Sequence, residues 1–311
     1  MRALVTGADG FVGRWLTRHL EESGDEVWRA AGSGRLASPR ERVVDLTDGS
    51  SVRDTVAWAR PQVIYHLAAV SFGPDASADA GHAIDVTVRG TAYLLEAAAH
   101  LDAPPTVMIP SSAEVYGAPG TGRLTERAPI APMNTYGATK AAQETLALAY
   151  HRSRRVPVVV ARAFNHIGPG QRESFAVPAF ALQLARIALE SVEPVLRVGN
   201  LDARRDFTDV RDVVRAYRLL VEGGHTGRPI NVASGKAVAV RDLLDRLIRV
   251  SGLSVAVTID PTRLRAADLP VVVGSSALLR RLTGWRPEVS LRQTLGEVWQ
   301  DARQRASSAE G

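Results

Sequence analysis

No cysteine occurs in the 311 residues, which excludes disulfides, thiolate metal sites and a cysteine nucleophile. No metal site is expected. Lysine is almost as scarce: only Lys140 and Lys236 occur, so the formal charge of +5 rests on arginine. Aromatic residues make up 5% of the chain, and the arginines are dispersed rather than striped. Both features argue against a nucleic-acid-binding surface. The densest cluster, Arg152-Ser-Arg154-Arg155, closes a predicted helix, where cations suit the helix dipole. No apolar run approaches the length of a membrane span, so no membrane association is expected. Met1-Arg-Ala-Leu-Val-Thr6 runs straight into a strand with no signal peptide ahead of it, and a cytoplasmic location is expected.

What is present reads as alternating strands and helices. Arg2–Thr6 is a short apolar strand, followed at once by Gly7-x-x-Gly10-x-x-Gly13 and an amphipathic helix from about Phe11 to Glu22. Strand, glycine turn, helix is the setting that a dinucleotide fingerprint needs. Gly7 permits the turn, Gly10 admits a pyrophosphate to the backbone, and Gly13 lets helix pack on strand. Phe11 and Val12 would line the helix N-terminus where the phosphates sit. The second strand, Glu26–Ala30, should end near an adenosine ribose. It carries Arg29, with Arg35 beyond it, and no carboxylate at the expected end. That pattern favours NADP(H) over NAD(H).

Residues 42–46 read as a third strand, with Asp45 and Leu46 at its C-terminal end near an adenine. Gln62–Ala69 is a fourth strand whose small-residue exit, Leu67-Ala68-Ala69, lets a cofactor lie against the backbone. One helix over about 78–100 and a fifth strand, Thr106–Ser112, follow. A helix opening near Tyr136 and ending near Arg155, then a buried strand Val156–Arg162, complete the alternation. The expected fold class is α/β: a Rossmann doubly wound parallel sheet with a smaller C-terminal α/β lobe. Residues 1–163 form the first domain, with a return to its sheet around 208–232. Residues 164–207 and 233–311 form the lobe. Helices are expected at about 176–190, 210–222 and 240–251, and strands at 195–198 and 255–259. A turn-rich loop is expected at 163–171, and a frayed tail at 305–311.

The chemistry centres on Ser112 and on Tyr136-x-x-x-Lys140. Four residues make one helical turn, so Tyr136 and Lys140 share a face. An ammonium there favours the phenolate, which suits proton transfer to or from a carbonyl or alcohol oxygen. With two lysines and six tyrosines, chance would give such a pair about 0.04 times per chain. Ser112 at a strand end is placed to hold the same oxygen.

These motifs, with Ser112-Ala-Glu-Val-Tyr-Gly117 and Arg162-Ala-Phe-Asn165, resemble the extended short-chain dehydrogenase/reductases, the nucleotide-sugar epimerases, dehydratases and reductases. The resemblance covers essentially the whole chain. It implies catalytic roles for Ser112, Tyr136 and Lys140, and makes Tyr116 a bystander. The C-terminal lobe is most similar to reductases of GDP-4-keto-6-deoxyhexoses, which form GDP-rhamnose-type products. By that resemblance Ala113, Glu114, Asn165, Arg205, Arg265 and Asp268 meet a GDP-linked sugar. It also implies a homodimer through a four-helix bundle built from the 78–100 helix and the Tyr136 helix. The run Tyr93–Ala99 suits that seam or the protein's own core equally. Two departures stand out: Thr87 replaces the family's usual asparagine, and Glu114 occupies a dehydratase position while Ala113 lacks the second acid. A 4,6-dehydratase or 4-epimerase with bound NAD(P) is therefore the alternative. A non-catalytic nucleotide-binding regulator is the alternative of another class.

Overall fold

β1 (Arg2–Thr6) leads through the glycine turn into α1 (Phe11–Glu22). Next come β2 (Glu26–Ala31), β3 (Glu41–Val43), α2 (Gly49–Ala59) and β4 (Val63–His66). Three helical pieces follow: α3 (Gly73–Ala78), α4 (Ala80–Ile84) and, beyond a π-helical turn at Asp85–Arg89, α5 (Gly90–Ala99). β5 (Thr106–Ser112), α6 (Thr135–Arg154) and β6 (Val158–Ala163) close the first half. The second half holds β7 (Asn165–Ile167), α7 (Ala176–Ala188), β8 (Val195–Val198), β9 (Arg204–Asp209), α8 (Val210–Glu222) and β10 (Pro229–Val232). β11 (Ala237–Ala239), α9 (Val240–Ser251), β12 (Ala256–Ile259), β13 (Val271–Val272), α10 (Ala277–Thr283) and α11 (Leu291–Ala309) end it. This computed structural model describes residues 1–34, 37–118, 122–189, 192–264 and 269–309.

Two units are distinct: Met1–Ala163 with Val213–Val232 and Ser275–Trp285, and Phe164–Asp212 with Ala233–Gly274 and Arg286–Gly311. The first unit is a seven-stranded parallel sheet in the order β10-β6-β5-β4-β1-β2-β3. This is the doubly wound arrangement expected. The direction of winding reverses between β1 and β4, and ligands of such sheets bind beyond the strand ends at that reversal. Strands buried on both faces are nearly all apolar, as in Leu4, Ile64, Val107, Ile109, Val158 and Val160. They pack with Leu94, Leu95 and Ala98 of α5 and Ala147 of α6. Truncating one of the larger side chains to alanine costs about 2–5 kcal/mol.

The single helix expected over 78–100 is interrupted. Thr87 is fully buried and its Oγ1 accepts from the Val70 amide at 3.3 Å, while Thr91 Oγ1 donates back to the Thr87 carbonyl at 2.6 Å. Such back-bonding by threonine competes with the helical ladder, and a π turn results. The run Tyr93–Ala99 is divided: Leu94, Leu95 and Ala98 are core, and the positions between them are half-buried.

The second unit has its own core, with Phe180, Leu184, Leu196, Val198, Leu243, Leu247, Leu295 and Trp299. β9 pairs with β7, β11 and β13, and β8 pairs with β12. Buried Asp206 accepts from the amides of Ser234, Gly235 and Gly274 and from the Ser234 hydroxyl. Two expectations fail here. Asn165–Ile167 is a strand, because β9 supplies the ladder partners that a local reading cannot see. Residues 305–309 continue α11 rather than fray: Ala306 is core, and Arg305 Nη1 donates to the Gln171 carbonyl at 3.0 Å. Among the described residues no helix is long and apolar enough to cross a membrane.

Candidate active site

The glycine turn and the exit of β4 meet at the reversal point. Gly7 has φ +67, and a Cβ there would stand 2.9 Å from the Ala68 amide nitrogen. A Cβ on Gly13 would collide with the Gly7 carbonyl and the Ala8 backbone. Only glycine fits either place. Gly10 is the N-cap of α1, whose first turn carries no acidic residue of its own to compete for an anion's place there. Phe11 and Val12 form that first turn, and the half-buried Leu67, Ala68 and Ala69 lie beside the glycines. Leu46 is buried and would touch a Cβ on Gly90, which joins the end of the third strand to α5. Asp45, expected within that strand, lies past its end and accepts from the amide and hydroxyl of Thr47. Those two bonds hold its carboxyl below the usual range.

Arg29 on β2 is engaged twice. Nη1 bonds Glu41 at 2.9 Å and Nη2 bonds Glu21 at 2.5 Å. No carboxylate occurs at Gly32-Ser33-Gly34, the described residues just after β2. Arg35 lies outside the described residues.

Ser112 ends β5, and Asn134 caps α6 by accepting from the Gly137 amide at 2.8 Å. The cap starts the helix one residue before Tyr136 and so aims its first turn at the strand end. Ser112 lies close enough to the Tyr136 phenol to act on its pKa, and its hydroxyl accepts from the Glu114 amide. Lys140 is 5% exposed, and its ammonium donates to the Pro110 carbonyl at 2.8 Å and to Gln143 Oε1 at 2.9 Å. Burial lowers its pKa to about 7. Tyr136 departs from expectation. Its phenol is pushed up, by burial first and then by the Glu114 carboxylate, against the opposing effect of the nearby Ser112 hydroxyl. Glu114 itself accepts from Asn134 Nδ2 at 2.7 Å, and Ala113 is buried beside it. Ser112, Ala113, Glu114, Tyr136 and Lys140 are thus gathered at one strand end of the first unit.

Asn165 and Arg205 belong to the second unit. Asn165 is exposed on β7, and Arg205 Nη1 donates to the carbonyls of Arg204 and Leu269. Arg265 and Asp268 lie outside the described residues.

Sequence reading missed the buried pair beneath this site. Arg162 on β6 grips Glu144 with Nε at 3.0 Å and Nη2 at 2.5 Å, both side chains being nearly inaccessible. Arg162 also donates to the Tyr116 hydroxyl, which donates to Asn231 Oδ1. Tyr116 is therefore committed to the scaffold. The available signal was Glu144, four residues after Lys140 and on the same helix face.

Comparison with known proteins agrees with this fold. The sequence model of the family described as GDP-mannose 4,6 dehydratase matches residues 4–298. The chain is 34% identical to the GDP-6-deoxy-D-mannose reductase of Pseudomonas aeruginosa over 303 residues, covering 96% of each. The solved structure of RMD from Pseudomonas aeruginosa complexed with NADPH superposes with a TM-score of 0.88 at 32% identity, covering 98% of this chain and all of that one. DesIV, a dTDP-glucose 4,6-dehydratase from Streptomyces venezuelae with NAD and TYD bound, gives 0.85 at 28% identity over 99% and 98% of the two chains. The chain belongs to the GDP-mannose 4,6-dehydratase family of extended short-chain dehydrogenase/reductases.

Proposed function

We propose that this protein reduces the C4 ketone of a GDP-4-keto-6-deoxyhexose, with NADP(H) favoured over NAD(H). The observation that carries this reading is Tyr136, close to Ser112 and one turn from a buried Lys140. The glycine turn is a cradle that side chains would fill, and its helix N-terminus suits a pyrophosphate. Gly7, Gly10, Phe11, Val12, Gly13, Asp45, Leu46, Leu67, Ala68 and Ala69 would hold the dinucleotide, with Lys140 reaching its nicotinamide ribose. When bound, the reduced nicotinamide supplies a hydride for the carbonyl carbon. Ser112 steadies the carbonyl oxygen, and Tyr136 gives its phenolic proton to that oxygen as the C4–H bond forms, so ketone becomes alcohol. A phenol pushed up by burial is protonated throughout the neutral range, which suits a donor. The Lys140 charge stabilises the phenolate left behind.

On the second unit, Asn165, Arg205, Arg265 and Asp268 are the residues proposed to meet sugar, diphosphate and nucleoside. Guanidinium forks suit phosphate, and carboxylates suit paired hydroxyls. Preference for NADP(H) is supported by the absence of a carboxylate just after β2 and by the NADPH bound to the Pseudomonas aeruginosa relative. A homodimer is proposed through α5 and α6, where Ala138, Ala142 and Thr145 are exposed. Ala142→Arg should then halve the mass seen by sedimentation, and an unchanged mass would count against the bundle.

The alternative is a 4,6-dehydratase, favoured by Glu114 standing close to Tyr136. Nicotinamide absorbance separates the two. Mixing the protein with NADPH and GDP-4-keto-6-deoxymannose should oxidise the cofactor, and GDP-mannose should not. Conversion of GDP-mannose to a keto product without net oxidation would establish the dehydratase instead.

A further inference from the structure

Lys140 is held by more than its own helix. Its ammonium donates to Gln143 Oε1, and Gln143 Nε2 donates to Thr91 Oγ1 at 2.8 Å. The one hydroxyl proton of Thr91 goes to the Thr87 carbonyl. Thr91 oxygen must therefore accept from His66 Nε2, 3.0 Å away, which leaves His66 Nδ1 to accept from the Thr6 hydroxyl at 2.8 Å. Thr6 in turn accepts from the Ala68 amide at 3.3 Å. Every direction in this chain is fixed. It runs through fully buried side chains from the ends of β1 and β4, across α5, to the cation on α6.

We propose that Gln143 is a positioning residue for Lys140, anchoring the ammonium through Thr91 and His66 to the strand ends beside the glycine turn. The inference rests on the catalytic role given to Lys140 above. The chain is an anchor and not a proton wire, since an amide relays no proton and His66 is fixed in one tautomer. An ammonium has three donors. Pro110 and Gln143 take two of them, and the third is left in a set direction for cofactor or substrate.

The environment makes this anchoring measurable. On its own helix Lys140 has Tyr136 on one side and Glu144 on the other, the latter locked to Arg162 of β6. From β4 comes His66, kept neutral by burial and by Lys140 itself. The π turn carries Asp85 and Arg89, which pair with each other at 3.0 Å. Glu96 of α5 accepts from Tyr150. Glu114 and Tyr116 follow β5, and α3 and α4 add Asp75 and His82. Among the described residues no carboxylate bonds Lys140 directly, so its titration depends on the neutral acceptors it has.

The test exploits the chain's two lysines. In protein labelled with ¹³C-lysine, Lys236→Arg removes the exposed lysine's signal, and the remaining ε-carbon resonance reports Lys140 alone. A carboxylate at position 143 should raise the Lys140 midpoint by about one pH unit or more, and loss of the acceptor should lower it. Gln143→Glu is thus expected to move the midpoint up and Gln143→Leu down. The alkaline limb of kcat/KM for ketone reduction should move in the same two directions. A midpoint unmoved in both variants, or moved the same way in both, overturns the proposal. Should the leucine variant fail to fold, the glutamate variant alone decides, upward shift or none. If the midpoints move as stated but the wild type oxidises no nicotinamide with any 4-keto nucleotide sugar, the anchor stands and the reductase reading falls.

Discussion

Lys140 and Glu144 stand one turn apart on α6, and each belongs to a buried cation with a different fate. Arg162 has a carboxylate of its own: Glu144 receives it bidentately, and Tyr116 takes a further donor. Lys140 has none among the described residues, and is held by a carbonyl and an amide oxygen. The first cation is neutralised and locked, and burial cannot discharge it. The second is poised, because desolvation works against its charge with no carboxylate partner among the described residues to oppose it. The difference teaches where structure ends and chemistry begins on a single helix. A paired charge is spent on the scaffold, and an unpaired one is available to a reaction.

Breaking each arrangement should therefore give opposite signatures. The largest effect is expected from Tyr136→Phe, which leaves both cations in place and removes the proton donor. It should lower kcat about 10²–10⁴-fold, with NADPH affinity by calorimetry nearly unchanged. Glu144→Ala should act on stability instead, costing about 3–5 kcal/mol in urea unfolding because Arg162 is left buried and uncompensated. Lys140→Met sharpens the contrast through pH. The folded-state value of Lys140 is about 7, well below its ordinary 10.5. Between those values the unfolded chain binds the proton that the folded one refuses, so the wild type gains stability as pH rises through that window. Below pH about 7 the penalty is constant. The methionine variant lacks this term. Its stability advantage over the wild type should be greatest at pH 6 and shrink steadily toward pH 9, as read from paired thermal melts. Arg29→Ala is expected to have the smallest effect. Its guanidinium is shared between Glu21 and Glu41 at a half-exposed site, so about 1 kcal/mol or less of stability is at stake. The preference for NADPH over NADH should fall by about fivefold at most on the same scale.

The motif that carries the poised cation was legible in the sequence, and the pair that locks the other was not. Gly7, Gly10 and Gly13 directly after an apolar strand, and Tyr136 four residues before one of only two lysines, are local patterns whose meaning survives without contacts. The parallel sheet followed from the alternation of strand and helix. Glu144 and Arg162 lie 18 residues apart on a helix and a strand, and only the packing of β6 against α6 shows that they meet. The same holds for Gln143, Thr91 and His66, drawn from three elements. The break in the 78–100 helix was hidden because Thr87 and Thr91 look like ordinary helix residues until their hydroxyls bond backbone atoms. β7 needed β9, and the last turns of α11 needed Ala306 in the core. Long-range partners, rather than propensity, account for each of these.

The most direct test of the central claim uses NADPH carrying deuterium at the transferable position of its nicotinamide. After reaction with GDP-4-keto-6-deoxymannose, the sugar product is read by NMR. The account predicts one deuterium at C4 of the product from the wild type, and none from Tyr136→Phe in the same time. Deuterium-free product, or sugar chemistry confined to C5 and C6 of GDP-mannose, would contradict it.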